Sequence, residues 1–283
     1  MGIARPAIAL LLEEAAVRPF SGKIVTLGRQ TIGASADEIK GEFQRFKVAP
    51  LGALTATPDD NELFQMMGFV GVESLDYSDF ENATHIVDLN HDGLPAQLIG
   101  QFDVVLDGGT LEHVFHLPNA LKNALSLLKE GGRAIFISPS TNYVDHGFYM
   151  FSPTLFWDYL LVNGFSIETS YFIRCSLNTR KRWRAYAYER DSYRRFSIGS
   201  LDSRPYINFV IATKREGATT EKIPQQTFYL DNWAAKTGLS AQRKYVRLER
   251  ILGRIPGALE LAVRMWPMIA RRGRWGLRYV NDY

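Results

Sequence analysis

The stretch that decides the fold runs from Gln101 to Pro139 and reads QFDVVLDGGTLEHVFHLPNALKNALSLLKEGGRAIFISP. It opens with an apolar run, Phe102 to Leu106, and closes with another, Arg133 to Ser138, and such runs are typical of buried strands. Between them leucines recur at helical spacing, at positions 117, 121, 125 and 128, and Gly131 and Gly132 then predict a helix end. A strand, a helix and a second strand in this order predict two parallel strands joined by a right-handed crossover.

The same alternation continues on both sides of this stretch. Five further apolar runs predict strands, at Lys23 to Leu27, Val72 to Leu75, His85 to Leu89, Phe165 to Ile173 and Tyr206 to Lys214. Helical patterns lie between them, at Pro6 to Val17, Ser35 to Phe46, Glu62 to Met67 and Pro153 to Asn163. We therefore expect an α/β domain over residues 1–215, built on a doubly wound, mostly parallel sheet.

Charge divides the chain into two unlike parts. Residues 1–173 carry 10 Lys and Arg against 21 Asp and Glu, whereas residues 174–283 carry 23 against 9. Beyond residue 215 the strand pattern stops and arginines alternate with apolar residues, so we expect residues 216–283 to form a basic, amphipathic helical extension. This extension could pack on the domain or on a second subunit, or lie on an anionic membrane surface. Nucleic-acid binding is disfavoured, because no nucleic-acid-binding motif accompanies the charge.

Cysteine content and the amino-terminal sequence indicate the compartment. The single cysteine, Cys175, excludes an internal disulfide and a Cys-based zinc cluster, and it suits a reducing cytoplasm. The apolar run Ala7 to Leu12 is far shorter than the roughly 20 residues of a membrane span, and Glu13 and Glu14 end it. We expect a soluble cytoplasmic protein, with peripheral membrane contact through the extension as the open alternative.

The Gln101 to Pro139 stretch resembles the class I S-adenosyl-L-methionine (SAM)-dependent methyltransferases, in particular their small-molecule enzymes. The resemblance rests on FDVV at 102–105, LEHV at 111–114 and LKEGG at 128–132, which follow the family's order, and it extends over about Gly22 to Lys214. It implies a Rossmann-like sheet with a terminal antiparallel strand, SAM as cofactor, and a loop after the fourth strand that faces the methyl donor. In two places the sequence departs from the family pattern: Thr26 stands near an acidic position, and GRQTIG at 28–33 replaces G-x-G-x-G.

Candidate cofactor contacts follow the strands, because ligands of an open parallel sheet bind outside the carboxyl ends of its strands. They are Gly28, Arg29, Gln30 and Gly33 after the first strand, Asp76 and Tyr77 after the second, Asp88 and Leu89 after the third, and Asp107, Gly108 and Glu112 after the fourth. Glycine lets the backbone approach a cofactor. A carboxylate at Asp76 would accept both ribose hydroxyls, and one at Asp88 would accept the adenine amine.

The aromatic-rich segment NYVDHGFYMFSP, at 142–153, follows the fifth predicted strand and suits a lid that excludes water and orients a substrate. His146 is the candidate general base for a hydroxyl acceptor, since an imidazole titrates near neutral pH, and Asp145 is its candidate orienting partner. His113, in LEHV, is a third candidate catalytic residue. The alternative for His146 is a capping role before the helix that starts near Ser152.

The histidines do not predict a metal site by their spacing. His85, His91, His113, His116 and His146 form no HExxH or similar motif, and His113 with His116 is the only near pair. The sequence therefore predicts no metal.

The predicted function is methyl transfer from SAM to an oxygen of a small molecule or glycan precursor. DGGT at 107–110 is not the Asp/Asn-Pro-Pro-aromatic loop that amine N-methyltransferases often carry. One alternative is a catalytically inactive methyltransferase-like scaffold or partner-binding protein, because the glycine loop is altered. The other is a nicotinamide-dependent oxidoreductase using that loop and Asp76, although no dehydrogenase signature is present.

Overall fold

A computed structural model of the protein describes residues 2–176, 182–189, 201–227, 229–230 and 278–283. Its helices are α1 (Arg5–Val17), α2 (Ala36–Phe46), α3 (Asp60–Met66), α4 (Leu117–Ser126) and α5 (Pro153–Val162). Its strands are β1 (Gly2–Ala4), β2 (Lys23–Leu27), β3 (Thr31–Gly33), β4 (Gly71–Asp76), β5 (His85–Ile86), β6 (Phe102–Asp107), β7 (Leu128–Thr141), β8 (Phe165–Arg174), β9 (Arg184–Ala187), β10 (Tyr206–Lys214) and β11 (Arg278–Asp282). Single 3₁₀ turns lie at Ala96–Leu98 and Leu111–His113.

Nine of these strands form one sheet, in the order β11-β9-β8-β10-β7-β6-β2-β4-β5. The strands β5, β4, β2, β6 and β7 are parallel to one another. Strand β10 is antiparallel to both of its neighbours, β7 and β8. The doubly wound, mostly parallel sheet and the antiparallel last strand of the sequence prediction are thereby confirmed.

The apolar strand runs arise because the sheet is buried on both faces. On one face, Ile24 of β2 and Val104 of β6 lie in a core that includes residues of α1, α2 and α3. On the other, the next residues along, Val25 and Val105, lie in a core with residues of α4 and α5. Strands covered by helices on both sides need no polar alternation, so their sequences read as continuous apolar segments.

The chain reverses its direction of travel across the sheet next to β2. It passes from β2 outward to β4 and β5, and then returns to β6 and β7 on the other side. The switch point therefore lies between β2 and β6, where Leu27 and Asp107 are paired at the carboxyl ends. A crevice at such a point is the expected ligand site of an open α/β sheet.

A second, two-stranded sheet lies next to the turn after β2. In it β1 runs parallel to β3, and Gly2 to Ala4 pair with Thr31 to Gly33. From the sequence, Thr31 to Gly33 were expected to belong to a glycine-rich loop. Three-residue strands are too short to show a period-2 pattern, and their pairing partner lies far away in sequence, so propensity could not indicate this sheet.

Two boundaries differ from the sequence prediction. Helix α4 ends at Ser126 rather than near the two glycines, because Leu128 already pairs with Phe102 at the start of β7. The third predicted strand, His85 to Leu89, pairs only at His85 and Ile86. By contrast, the capping box that opens α2 at Ser35 is present as expected.

The predicted helical extension, residues 216–283, lies largely outside the described residues. Its last part, Arg278–Asp282, is strand β11, which pairs antiparallel with β9 at the sheet edge. These residues were expected to be helical, but the edge of β9 offers them unpaired backbone groups. Among the described helices, none combines the length and the apolar composition that a membrane crossing needs.

Candidate functional site

Gly28 lies at the centre of the sheet's carboxyl edge, in the turn after β2. It is buried and left-handed, with φ at 70°, and its N–H donates to the Leu75 carbonyl at 2.7 Å. A Cβ here would lie 3.1 Å from Thr110 Oγ1 and 3.6 Å from Asp76 Oδ2. The Thr110 hydroxyl donates to the Leu27 carbonyl at 2.6 Å, which joins the turns after β2 and β6. The missing side chain leaves a small cradle between a hydroxyl and a carboxylate.

The next two side chains of this turn, Arg29 and Gln30, are already held by an ion pair and by hydrogen bonds. Arg29 Nη2 lies 2.6 Å from Asp60 Oδ1, and the Gln30 N–H donates to Asp60 Oδ2 at 2.9 Å. The buried Gln30 amide donates to two carbonyls of the same turn, both at 3.1 Å. Gly33 lies in β3, paired with Ala4. The Gly28 backbone is also engaged, because its N–H donates to Leu75 and its carbonyl accepts from Thr26 and Gln30, so what this turn offers a ligand is the absence of a side chain at Gly28.

Asp76 ends β4 and faces this cradle. Its Oδ1 accepts the Tyr77 N–H at 2.6 Å, while Oδ2 has no hydrogen-bond partner among the described residues. Tyr77 is 72% exposed, so the edge is open to solvent on this side. One carboxylate oxygen of Asp76 is therefore available to a ligand.

Asp88 and Leu89 lie beyond the short strand β5. Asp88 Oδ1 accepts from the backbone and side-chain nitrogens of Asn90, at 2.9 and 2.8 Å, and these hydrogen bonds hold the pKa of Asp88 below its usual range. Leu89 is buried in the core shared with α4. Asp88 is thus partly engaged by its own turn, and the Leu89 side chain packs inward.

The carboxylate of Asp107, at the end of β6, organises the following turn. Its Oδ1 accepts from the backbone N–H groups of residues 109–111, at 3.3, 2.9 and 3.3 Å. Its Oδ2 accepts from the Ser138 hydroxyl at 2.8 Å. The group is fully buried, which raises the pKa of Asp107. Both carboxylate oxygens of Asp107 are therefore used in hydrogen bonds within the fold. The neighbouring Gly108 packs against the Gln30 amide.

Glu112, in the 3₁₀ turn after β6, is buried without such partners. Its residue is 0% exposed, and neither carboxylate oxygen has a hydrogen-bond partner among the described residues. The groups facing Glu112 Oε1 are His146 Nε2 at 3.6 Å and His113 Nε2 at 4.0 Å. Burial, and then the neighbouring charge of Asp107, raise the pKa of Glu112 to about 8. We call Glu112, His113 and His146 the Glu-His cluster.

The loop after β7 is fastened to Glu112 and brings His146 to it. The Glu112 carbonyl accepts from the N–H groups of Phe148 at 2.8 Å and Tyr149 at 3.2 Å. A Cβ at Gly147 would lie 2.8 Å from the same carbonyl, so only glycine allows this close approach. The rings of His146 and His113 are 5.1 Å apart. Burial, and then the proximity of His146, lower the pKa of His113.

Of the three predicted catalytic residues, the structure brings together His146 and His113 but not Asp145. Asp145 is exposed and left-handed, with φ at 63°, and the carboxylate that faces the His146 ring belongs to Glu112. The two imidazoles keep contact with solvent, because their side chains are 34% and 46% exposed. A solvent-facing pair of imidazoles over a buried carboxylate can bind a cation or take up a proton.

Exposed aromatic residues border the cluster. Phe115 and Phe148 are 62% and 65% exposed, and their rings meet edge to face at 5.6 Å between centroids. The Tyr149 hydroxyl donates to the Phe115 carbonyl at 2.6 Å, which ties the loop after β7 to the chain after β6. Large apolar side chains beside polar groups are typical of small-molecule sites.

Sequence reasoning missed two residues of this edge. Asp60 holds the turn after β2, and Thr110 joins that turn to the one after β6. The capping box of Asp59 and Glu62 marks the start of α3 but does not reveal that Asp60 faces the turn. These roles depend on contacts across the fold, which spacing along the chain does not show.

A scan of the sequence against protein-family models finds no match, and a search of curated proteins finds none either. A search of solved structures finds similar chains. The chain is similar to the YcgJ protein of Bacillus subtilis, with a TM-score of 0.40 and 10% identity over 74% of this chain and 99% of that one.

Two further similar structures are methyltransferases by their descriptions. One is an S-adenosylmethionine-dependent methyltransferase of Mesorhizobium loti, with a TM-score of 0.38 and 16% identity over 73% of this chain and 98% of that one. The other is the 1,6-didemethyltoxoflavin N1-methyltransferase of Burkholderia thailandensis bound to S-adenosylhomocysteine (SAH), with a TM-score of 0.36 and 12% identity over 75% of this chain and 78% of that one. Both descriptions name the activity of the family that Gln101 to Pro139 resembles, but similarity this low assigns no activity to this chain.

Proposed function

We propose that this chain is a SAM-dependent methyltransferase that methylates an oxygen of a small molecule or glycan precursor. The observation that carries the proposal is the cradle at the switch point, where Gly28 places no side chain beside Asp76 Oδ2 and Oδ2 has no hydrogen-bond partner among the described residues. In a doubly wound sheet, this is the position at which an adenosyl group binds. The resemblance of residues 102–132 to the methyltransferase family supports the same assignment.

Three residues fit the adenosyl part of SAM. Asp76 has a free carboxylate oxygen suited to the ribose hydroxyls, and Gly28 lets the backbone come close. Asp88 lies after the neighbouring strand and would accept the adenine amine. Arg29 and Gln30 take no part in this proposal as side chains, because Asp60 and the turn itself engage them.

SAM supplies an electrophilic methyl carbon on a sulfonium. When bound, it would pass that carbon to the acceptor oxygen, the electron pair of the broken carbon–sulfur bond would stay on sulfur, and the hydroxyl proton would have to be removed. Positioning provides most of the acceleration of such a displacement. Removal of the proton falls to the Glu-His cluster, whose imidazoles face solvent on the same side as the loop after β7.

The exposed aromatic pair indicates the acceptor's shape. Phe115 and Phe148 offer apolar ring surface next to the cluster, which suits a ring-shaped or partly apolar acceptor. The hydroxyl to be methylated would then point inward toward His146.

Ligand binding tests the proposal before any acceptor is known. Tag-free protein is titrated with SAM and with SAH by calorimetry, and its thermal unfolding is followed in parallel. SAM at about 100 times its dissociation constant should stabilise the chain by about 2.7 kcal/mol. No saturable binding of either compound would favour the inactive scaffold instead.

The matched variants are Asp76→Ala and Asp79→Ala, two acidic residues three positions apart, of which Asp79 is exposed. Loss of a hydrogen-bonded charge should weaken SAM binding about 10-fold to 100-fold in Asp76→Ala. Asp79→Ala should bind like the unaltered chain. Equal affinities in the two variants would place the adenosyl group elsewhere.

A further inference from the structure

We propose that Glu112, His113 and His146 bind a divalent first-row transition-metal ion such as Zn²⁺. The role suggested for the ion in methyl transfer rests on the proposed function, whereas the binding itself does not. No metal was expected from the sequence, because spacing rules consider ligands that lie close together along the chain. In the folded chain one ligand comes from the loop after β7 and two from the turn after β6.

The donor atoms lie close enough for one ion. One atom from each of the three residues can be chosen so that all lie within 4.8 Å of one another. The two measured separations, from Glu112 Oε1 to the histidine Nε2 atoms, are 3.6 and 4.0 Å. Ligands at about 2.1 Å from a tetrahedral ion stand about 3.4 Å apart, so the separations would have to shorten by at most about 1.4 Å to complete the site.

The buried carboxylate gives the independent reason for a cation. Glu112 is 0% exposed, both of its oxygens lack hydrogen bonds, and no lysine or arginine of the described residues pairs with it. An unpartnered buried carboxylate is costly, and proteins tolerate it mainly where it pairs with a charge or binds a metal. Among the described residues, Glu112 Oε1 faces two imidazoles within 4.0 Å, those of His146 and His113.

The cluster is built on fixed backbone rather than on loose surface side chains. The hydrogen bonds from Phe148 and Tyr149 to the Glu112 carbonyl, and the close packing of Gly147 on it, set the position of the neighbouring His146. His113 is adjacent to Glu112 in the same 3₁₀ turn. Little conformational entropy remains to be lost when an ion binds, which favours affinity.

The donor set points to the class of metal. Two imidazole nitrogens with one carboxylate oxygen suit zinc, iron, cobalt or manganese better than calcium or magnesium, which prefer oxygen ligands. Three protein ligands leave at least one position open, as in catalytic rather than structural zinc sites. Because both histidine side chains are partly exposed, an acceptor hydroxyl could reach that position and lose its proton there to solvent.

The test uses tag-free, full-length protein that has been treated with a chelator and dialysed. Zn²⁺ binding is measured by calorimetry, and Co²⁺ binding by visible absorption, which reports nitrogen and oxygen coordination without any enzyme assay. We expect one saturable site per chain. Absence of saturable binding of both ions would overturn the inference.

Two ligand variants and one control variant test the site. His146→Ala and Glu112→Gln should each weaken Zn²⁺ binding by about tenfold or more and alter the Co²⁺ spectrum. His116→Ala is the matched control, because His116 is exposed and lies outside the cluster, and it should bind like the unaltered chain. Unchanged affinity in both ligand variants, or equal loss in the control, would contradict the site. Circular dichroism of each variant checks folding.

SAM binding by the same preparations separates the two proposals. Metal binding without SAM binding would sustain the site and reject the methyltransferase. SAM binding without metal binding would support the proposed methyltransferase and reject the metal site.

Discussion

Asp107, at the end of β6, and Glu112, in the turn that follows, are buried carboxylates five positions apart, but within the part of the chain that the structure describes only Asp107 has hydrogen-bonded carboxylate oxygens. Asp107 accepts hydrogen bonds from the N–H groups of residues 109–111 and from Ser138. Glu112 accepts none at its carboxylate among the described residues and faces two partly exposed imidazoles. Both carboxylates follow the strand at the switch point, so position alone does not distinguish them.

The difference separates a structural acid from a functional one. A carboxylate whose oxygens are all engaged gives the fold its hydrogen bonds and has nothing left for a ligand. A carboxylate that is buried and unengaged lowers stability, and such groups persist mostly where a ligand or a reaction uses them. The first two of the following predictions test this contrast, and the third tests the neighbouring cradle at Gly28.

The largest effect is expected from Asp107→Ala. Removing the acceptor leaves three loop N–H groups and the Ser138 hydroxyl without their partner, and the free energy of unfolding should fall by about 3 kcal/mol or more. Urea unfolding at neutral pH measures the change. Ser138→Ala removes only one of these bonds and should cost about 1 kcal/mol. Equal losses in the two variants would show that Asp107 does not organise the loop.

Glu112→Met should change stability in the opposite direction. Methionine has a similar volume and no polar atoms to leave unpaired, so the free energy of unfolding of chelator-treated protein should rise by about 1 to 2 kcal/mol. The exposed Glu130→Met is the control and should stay within about 0.5 kcal/mol of the unaltered chain. A destabilised Glu112→Met variant would mean that the carboxylate has a stabilising partner after all.

The smallest difference in stability is expected between Gly28→Ala and Gly52→Ala. Both glycines are left-handed, with φ at 70° and 86°, so each alanine should cost about 1 kcal/mol in backbone strain, and the close approach to Thr110 should add to that cost at Gly28. Only at Gly28 would the new methyl group enter the space beside Thr110 and Asp76, since nothing lies within 4 Å at Gly52. SAM affinity should therefore fall about tenfold or more in Gly28→Ala alone. Equal SAM affinity in the two variants would remove the cradle from the proposed site.

Much of the fold could be predicted because its signals are local. The seven strands of the predicted domain coincide with apolar runs, of which the central ones are buried on both faces, and the helices between them have capping boxes or apolar stripes. The pairing of β1 with β3 could not be predicted, because each strand has three residues and neither indicates its partner. The same limit hid strand β11, which pairs with β9 across a long separation in sequence.

The candidate site shows the same division. Gly28, Asp76 and Asp107 were found because they follow strands at an edge where ligands bind. Two other features could not be predicted: both oxygens of Asp107 accept hydrogen bonds within the fold, and Asp60 pairs with Arg29. Both depend on contacts that spacing along the chain does not show. The expectation of no metal rested on spacing along the chain, and spacing does not bring His113 and His146 together because 33 positions separate them.

The sequence by itself determined the alternation of strands and helices, the edge of the sheet where polar residues gather, and the chemistry available there. Those properties follow from the apolar pattern and from residue type, which act over a few positions. Only the tertiary structure decided which carboxylate was satisfied and which was left facing two histidines. That outcome depends on hydrogen bonds between separate loops, and a hydrogen bond requires a separation of about 3 Å that only folding can bring about.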